Sequence, residues 1–136
     1  MSRFFRSARP LTSFAGPSTS ARTFHSTRIA REHYLDADAA TFKKVVQGGG
    51  DKPVLVQFTA SWCQPCKMLG PILQRLTGPQ SGADLVVIDV DHHGDLAGEY
   101  RVTAVPFVVG FKNGKQVDKF IGMQPEAKIK EFISKL

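Results

Sequence analysis

The sequence predicts an α/β fold in which about four helices flank a mixed five-stranded sheet within a single domain. Short apolar runs typical of strands alternate along the chain with amphipathic runs typical of helices. Their order, β-α-β-α-β-α-β-β-α, indicates parallel crossover connections in the first part of the sheet and helices on both of its faces. Asn113-Gly114 stands between the last two apolar runs and is a strong hairpin signal, so we expect the final strand pair to be antiparallel.

The first two predicted elements are a short strand and a helix. His33-Tyr34-Leu35 is expected to form the strand, and Asp36 or Asp38 then provides an oxygen that can cap the helix start. Gly48-Gly49-Gly50 ends this helix. Apolar residues at helical spacing define its buried face: Phe42, Val45 and Val46.

A second strand and a longer helix follow. Pro53 precedes the apolar residues 54–59, which are predicted to form the strand. The helix is expected over about residues 63–77, with a kink at Pro71 and an end at Gly78-Pro79. Its apolar face consists of Leu69, Ile72, Leu73 and Leu76.

The rest of the chain predicts three strands and two helices. Residues 85–90 are nearly all apolar and indicate a central strand covered on both faces, while residues 94–100 indicate a short, weak helix. Residues 105–111 and 116–121 are expected to form the two strands of the hairpin. The last helix begins at Pro125-Glu126. It turns a set of apolar residues inward: Ile129, Phe132, Ile133 and Leu136.

The basic character of the chain is concentrated in residues 1–31. This arm holds six arginines and no lysine, aspartate or glutamate, so the remaining residues have 12 basic and 12 acidic side chains. An arm rich in Arg, Ser and Thr without acidic residues is typical of a mitochondrial transit peptide, amphipathic or disordered, that is cleaved. We therefore predict a transit peptide at 1–31, cleaved at about Phe24 or a few residues later, and a domain at 32–136. A disordered basic tail is the alternative.

Composition argues against three other classes of protein. Residues 32–136 have no net formal charge and no basic patch with interleaved aromatic residues, which disfavours nucleic-acid binding. No continuous apolar segment resembles a secretory signal, and the longest apolar stretch, residues 104–111, is too short to span a bilayer. We therefore expect no nucleic-acid partner and no membrane association.

The only two cysteines of the chain, Cys63 and Cys66, are separated by two residues at the predicted start of the second helix. Two thiols at this spacing on the first helical turn face the same side and can form a disulfide with each other. The unpaired N–H groups and the positive dipole end of the helix stabilise a thiolate there. Because the thiolate is the reactive form of cysteine, the pair indicates a site that makes and breaks disulfides.

Other uses of the cysteine pair are less consistent with the sequence. A disulfide that closes a four-residue loop stabilises a fold by only roughly 2 kcal/mol in the chain-entropy account. A zinc or cluster site usually has four ligands, and no second cysteine pair exists. His92-His93 is adjacent in sequence, which suits a loop better than a chelate. We expect no bound metal, and a fortuitous pair of buried thiols is the structural alternative.

Several motifs along residues 33–136 carry a resemblance to a known family. The motifs are Ala60-Ser61-Trp62-Cys63-Gln64-Pro65-Cys66-Lys67-Met68, Pro71-Ile72-Leu73, Val105-Pro106, Phe111-Lys112-Asn113-Gly114 and Gly122. In this order and at this spacing the chain resembles the thioredoxin family, in particular its mitochondrial members with a presequence. The resemblance implies the thioredoxin fold.

The resemblance also implies an enzyme, a protein-disulfide reductase in which Cys63 is the nucleophile and Cys66 the resolving thiol. Physical reasoning agrees, since Cys63 is nearer the helix end and should be the more exposed and more acidic thiol. Its thiolate would attack a client disulfide, and Cys66 would then attack Cys63 and release the reduced client.

Residues around the cysteines are expected to bind the client. Trp62 offers a flat apolar surface, although partial core packing would also explain it, and Pro65 removes a backbone N–H and stiffens the turn. Pro106 resembles the family's cis-proline, which would leave the backbone of Val105 free to pair with an extended client segment. A proline that merely starts a strand is the alternative. Gly122 would complete an apolar rim.

Three residues are expected to tune the site. Gln64 stands where the family usually has glycine, and it can change the helix start and the hydrogen bonding at the Cys63 sulfur. Gln57 occupies the position of the family's usual buried aspartate, so an amide replaces a proton acceptor and a costly buried charge is removed. Lys67 either adds positive charge near the thiolates or is an ordinary solvated lysine. We hypothesise a stabilised reductant that is slower or has a different redox potential.

The resemblance implies no bound cofactor besides the redox-active disulfide Cys63–Cys66. Electrons would come from NADPH through a thioredoxin reductase, and peroxiredoxins and similar thiol enzymes would be clients. We expect a monomer. We also expect a location in the mitochondrial matrix, because no hydrophobic sorting segment follows the arm. Two alternatives remain open: a glutathione-linked or isomerase-like thiol oxidoreductase, and an interaction module of the same fold with little catalysis.

Overall fold

The computed structural model describes residues 33–78 and 81–136, which contain five strands and four helices in the predicted order. The strands are β1 (His33–Tyr34), β2 (Val54–Thr59), β3 (Asp84–Asp89), β4 (Phe107–Lys112) and β5 (Lys115–Ile121). The helices are α1 (Ala39–Phe42), which continues as a π-helical turn over Lys43–Gln47, α2 (Gln64–Leu76), α3 (Gly94–Glu99) and α4 (Glu126–Ser134). The predicted α/β fold is confirmed. The transit peptide predicted for residues 1–31 lies outside the described residues.

The five strands form one mixed sheet in the order β1-β3-β2-β4-β5. β3 is parallel to both β1 and β2, whereas β4 is antiparallel to β2 and to β5. The sheet therefore combines parallel crossovers with a final antiparallel hairpin, as predicted. β2 occupies the middle, while β3, which we expected to be central, lies between β1 and β2. Both are interior strands, and this explains why both sequences are so apolar.

Alternate residues of β2 pack into two different cores, one on each face of the sheet. Val54, Val56 and Phe58 lie in the core covered by α1 and α3. Leu55 lies in the core covered by α2 and α4. Gln57 follows the same alternation and therefore faces α2, where it is 1% exposed. A polar side chain is thus buried directly beneath the helix that carries the two cysteines.

Element boundaries differ from the prediction by one or two residues. β4 begins at Phe107 instead of residue 105, because Pro106 has no N–H to donate to the sheet. Asn113 and Gly114 form the hairpin turn with positive φ angles of 52° and 73°, which matches the turn type expected for this dipeptide.

α2 is the longest helix of the described residues, with 13 residues. Its first residue is Gln64, so Cys63 precedes it as the N-cap. Pro71 lies inside the helix, and the predicted kink at this residue stays a prediction. Across the described ranges, every helix falls short of the length and apolar character that crossing a bilayer requires.

Candidate active site

The two cysteines form a disulfide at the start of α2. Their Cα atoms are 5.3 Å apart. Cys63 has an extended backbone as the N-cap, and its Sγ accepts a hydrogen bond of 3.3 Å from the backbone N–H of Cys66. The predicted juxtaposition of the two sulfurs is therefore confirmed, and one of them already contacts an N–H group of the helix start.

Both sulfur-bearing residues are buried in the disulfide form. Cys63 is 4% exposed and Cys66 is 3% exposed. They cluster with Ala60, and Val90 and Val105 pack against this cluster. The two cysteines are about equally exposed in this oxidised form. They differ in their position relative to α2, because Cys63 is the N-cap and Cys66 lies within the helix. The expectation that Cys63 is the more exposed thiol concerns the reduced form and stays a prediction.

The segment Val105-Pro106 faces the disulfide from the start of β4. The peptide bond between these two residues is cis, as the resemblance implies. Val105 packs against the cysteine cluster. Gly122 has a φ angle of 81° and donates its backbone N–H to the carbonyl oxygen of Pro106 at 2.8 Å. The fold thus connects these three predicted client-binding residues, and Val105 is the one that packs against the cysteines.

Among the described residues, Trp62 is the most exposed large hydrophobic side chain, with 68% of its surface accessible. Its indole Nε1–H donates a hydrogen bond of 3.1 Å to Oδ2 of Asp91. Partial core packing, the alternative raised from the sequence, does not describe this side chain. Asp91 was not among the predicted site residues, because it is 29 positions away from Trp62. The available signal was its position just after β3, since parallel strands end at the same edge of a sheet.

Trp62 also borders a small cavity beside the disulfide. The cavity has a volume of about 150 Å³. Its walls are formed by Trp62, Val90, Val102, Thr103, Ala104 and Val105. Because these walls are largely apolar, the cavity suits an uncharged part of a client.

Gln57 lies beneath the first turn of α2. Its Nε2 donates a long hydrogen bond of 3.5 Å to the backbone carbonyl oxygen of Cys66. Val87 is its register partner on β3 and Val108 its partner on β4, so the flanking strand residues are apolar. The backbone of Cys66 therefore contacts a neutral amide.

The remaining tuning residues occupy the first turns of α2. Gln64 and Pro65 are the first two helical residues, and both side chains are exposed. Proline fits here because these N–H groups have no partner within a helix. Lys67 is also exposed, and its backbone N–H donates to the carbonyl oxygen of Cys63 at 3.3 Å. The charged end of Lys67 is thus in solvent near the helix start.

Two pKa shifts have clear structural causes. Hydrogen bonds from Thr41, including one of 2.8 Å from its backbone N–H, hold the pKa of Asp38 below its ordinary value of 3.8. Burial raises the pKa of Tyr100 above its ordinary value, with a smaller contribution from the charge of Glu99.

In the described part of the chain, no group of three or more His, Cys, Asp or Glu residues is placed to hold a metal ion.

Sequence comparison finds relatives that are named thioredoxins. Residues 33–135 match the family model described as Thioredoxin. The mitochondrial thioredoxin of Rattus norvegicus is 43% identical to this chain over 122 residues, which cover 89% of the chain and 73% of the rat protein. The mitochondrial thioredoxin of Bos taurus is 41% identical over 117 residues, which cover 85% of the chain and 70% of the bovine protein.

Solved structures show the same likeness. A mutant thioredoxin from Halobacterium salinarum has a TM-score of 0.70 and 36% identity, covering 78% of this chain and 92% of its own. A second match, with a TM-score of 0.67 and 28% identity, covers 79% of this chain and 99% of its own. That structure is described as the "structural basis of the thiol resolving mechanism in yeast mitochondrial 1-Cys peroxiredoxin via glutathione/thioredoxin systems".

Proposed function

The chain belongs to the thioredoxin family and is a thiol–disulfide oxidoreductase, and we propose that it reduces protein disulfides with Cys63 as nucleophile and Cys66 as resolving thiol. The observation that carries this proposal is the Cys63–Cys66 disulfide at the N-terminus of α2, with Val105 packed against it. A thiol pair in this position can change between dithiol and disulfide while the neighbouring apolar residues receive a client.

The proposed reaction transfers two electrons to the client in two exchange steps. In the first, the Cys63 thiolate attacks one sulfur of the client disulfide, whose S–S bond breaks as a mixed disulfide forms. The departing client thiolate takes a proton from solvent. In the second, Cys66 loses its proton to solvent, and its thiolate attacks Sγ of Cys63. The mixed disulfide breaks as the intramolecular disulfide forms, and the second client thiolate is released and takes a proton from solvent. The client is then a dithiol, and the enzyme is in the oxidised form seen here.

The assignment of the nucleophile follows from the position of Cys63 at the helix start. A negative charge on its sulfur would keep the hydrogen bond from the N–H of Cys66 and would face the positive end of α2. Hydrogen bonds to a charged group are stronger than hydrogen bonds to a neutral one. Both contributions favour the thiolate at Cys63, which supports its role as the attacking sulfur.

Client binding is proposed to use the surface around the disulfide. Trp62 supplies an exposed apolar face, and the backbone of Val105 pairs with an extended client segment. Pro106 and Gly122, which are joined by a backbone hydrogen bond, form the rim on the other side. Pro65 keeps the turn between the cysteines rigid.

Three polar residues are proposed to tune the reaction. Gln57 contacts the carbonyl of Cys66 as a neutral amide and cannot take up a proton from the resolving thiol. Gln64 sits between the cysteines in the first turn of α2 and affects the geometry of the helix start. Lys67 adds a solvent-exposed positive charge near this end of the helix. The proposed enzyme is a stable reductant that turns over more slowly than its relatives or has a different redox potential.

We place the protein in the mitochondrial matrix as a monomer with no bound cofactor other than its disulfide. Relatives named mitochondrial thioredoxins support a mitochondrial location. A cleaved transit peptide at 1–31 followed by a domain at 32–136 would explain the concentration of arginine in the arm. Electrons would come from NADPH through a thioredoxin reductase.

Peroxiredoxins are the proposed clients, and the second solved structure supports them because its description names a peroxiredoxin resolved by glutathione and thioredoxin systems. Because the same description names glutathione, it favours a second candidate, a glutathione-linked oxidoreductase. An isomerase-like oxidoreductase is a further alternative that the sequence leaves open. An interaction module with little catalysis would use the surface around Trp62 and Pro106 to hold a partner.

A coupled assay tests the proposed function. NADPH oxidation is followed with insulin as the disulfide and mitochondrial thioredoxin reductase as the electron donor. In a parallel reaction, glutathione together with glutathione reductase, which regenerates glutathione with NADPH, replaces the thioredoxin reductase. We expect turnover with thioredoxin reductase and loss of turnover in Cys63→Ser. Cys66→Ser is the matched variant, which should accumulate client as a mixed disulfide because the second exchange step is blocked.

Each competing function gives a different result in this assay. Turnover with glutathione as the donor, and none with thioredoxin reductase, would favour the glutathione-linked oxidoreductase. Absence of turnover with both donors would contradict the reductase proposal. An empty Cys66→Ser trap together with retained partner binding by Cys63→Ser would identify an interaction module.

A further inference from the structure

The position of Trp62 depends on a hydrogen bond more than on packing. It is the single tryptophan of the chain, and 68% of its surface is exposed. A side chain this exposed buries little apolar area, so packing alone gives it only a weak preference for one orientation. The 3.1 Å hydrogen bond from its indole N–H to Oδ2 of Asp91 supplies a directional contact with a carboxylate.

Asp91 is itself connected to the sheet. Its backbone N–H donates to Oδ1 of Asp89, the last residue of β3, at 2.8 Å. The backbone N–H groups of His92 and His93 donate to the carbonyl oxygen of Asp89 at 3.3 Å and 2.9 Å. Asp89 is paired with Thr59 of β2. The indole is therefore tied through this turn to the interior strands of the sheet.

The indole held in this way forms a wall of the 150 Å³ cavity. Val90 and Val105, which line the same cavity, also pack against the cysteine cluster. A client whose disulfide reaches Cys63 would therefore come next to this cavity, and the width of the cavity depends on where the indole stands.

We propose that Asp91 is a positioning residue for client binding: it holds Trp62 as the cavity wall before the client arrives. This inference rests on the proposed function and concerns the same site. Asp91 acts through the indole and not through a sulfur, so its contribution belongs to client association. A wall that is already in place has less side-chain entropy to lose when the client binds. Removing the tether should weaken client binding and leave the exchange rate within the complex unchanged.

The experiment uses the full chain, reduced beforehand with dithiothreitol that is then removed, and the variants Asp91→Ala and Asp91→Asn. Single-turnover reaction with insulin gives a half-saturating concentration and a limiting rate without a reductase. Hydroxyethyl disulfide serves as a second substrate that is too small to need the cavity wall. Asp95→Ala is the matched control, because it removes the same charge from the exposed first turn of α3. Anisotropy of the single tryptophan reports the mobility of the indole directly.

We expect Asp91→Ala to lower the anisotropy and to raise the half-saturating insulin concentration about fivefold to tenfold, the effect of one typical hydrogen bond that is lost. The limiting rate and the rate with hydroxyethyl disulfide should stay within about twofold, because the sulfur chemistry is not altered. Asp91→Asn should restore both binding and anisotropy, since an amide oxygen also accepts the indole N–H. Asp95→Ala should match the unsubstituted chain.

Four results would overturn the proposal. These are an unchanged half-saturating concentration in Asp91→Ala, an equal loss in Asp95→Ala, no rescue by Asp91→Asn, and an equal loss with hydroxyethyl disulfide. An unsubstituted chain that cannot reduce insulin would instead overturn the proposed function. The anisotropy of the variants would then still decide whether Asp91 holds Trp62.

Discussion

At the scale of single residues, Cys66, the proposed resolving cysteine, contacts an uncharged side chain. Gln57 is 1% exposed, and its amide nitrogen lies 3.5 Å from the carbonyl oxygen of Cys66. A carboxylate in this place could accept the proton that the resolving thiol must lose, whereas an amide cannot. The amide also avoids the free-energy cost of a buried charge. We therefore hypothesise that Gln57 exchanges catalytic help in proton transfer for stability of the fold.

Replacing Gln57 by aspartate should reverse this exchange. We expect Gln57→Asp to turn over insulin faster at neutral pH and to lower the free energy of unfolding by roughly 1–3 kcal/mol, because a carboxylate without full solvation is costly. Burial should raise the pKa of the new carboxyl, so the pH profile of turnover should gain an inflection above the ordinary range of aspartate.

Gln57→Asn provides the control, since it has the shape of aspartate without the charge. This variant should show neither the faster turnover nor the added inflection. If turnover and the pKa of Cys66 are the same in Gln57→Asp and Gln57→Asn, the charge at this position has no role in proton transfer. The hypothesis would then be wrong.

At the scale of elements, the junction of β2 and α2 could be predicted because its signals are local. Apolar residues 54–59, the two cysteines and the helical spacing after them lie next to each other in the sequence. The bond between Trp62 and Asp91 could not be predicted in this way, because it joins two segments that only the pairing of β2 with β3 brings together. Gln57 is intermediate: its face follows from the alternation of β2, but its partner at Cys66 depends on the docking of α2.

The first helix shows how local signals can be right about position and incomplete about geometry. Its apolar residues are buried as predicted, and Asp38 is its N-cap. The regular α-helical part is only four residues long, however, and a π-helical turn completes it. An apolar pattern this short cannot distinguish these helix types, since the single π-helical turn still leaves Phe42, Val45 and Val46 buried.

The cap of α1 should make stability depend on pH in the acidic range. The pKa of Asp38 is lowered in the folded protein, chiefly by its hydrogen bonds with Thr41. A lowered pKa means that the carboxylate stabilises the fold above its ordinary pKa of 3.8, and that this contribution is lost as pH falls through the lower folded value. We expect Asp38→Asn, which can still cap the helix, to reduce the fall in the urea midpoint between about pH 5 and pH 2.5.

Asp36→Asn serves as the comparison, because it removes a carboxylate two residues before the cap. It should leave the wild-type dependence on pH in place. Equal acid dependence of the wild-type protein and Asp38→Asn would show that the cap of α1 is not coupled to global unfolding.

At the scale of the whole molecule, the two cores carry the fold and the disulfide contributes a small addition. Apolar side chains from β2, β3 and β4 are buried on both faces of the sheet. The disulfide closes a loop between residues only three positions apart. Loop-closure entropy is small for such a short loop, so the reduced protein should keep its fold.

The stability of the two redox forms measures this contribution. In the chain-entropy account, the oxidised protein should be more stable than the reduced one by roughly 2 kcal/mol. Urea titrations with and without dithiothreitol should therefore give a higher midpoint for the oxidised form and similar slopes, since both forms bury nearly the same surface. The double variant with Cys63→Ser and Cys66→Ser should unfold like the reduced form whether or not dithiothreitol is present. A reduced form at least as stable as the oxidised one would mean that the folded protein favours the dithiol, and this preference would oppose its return to the disulfide after each client.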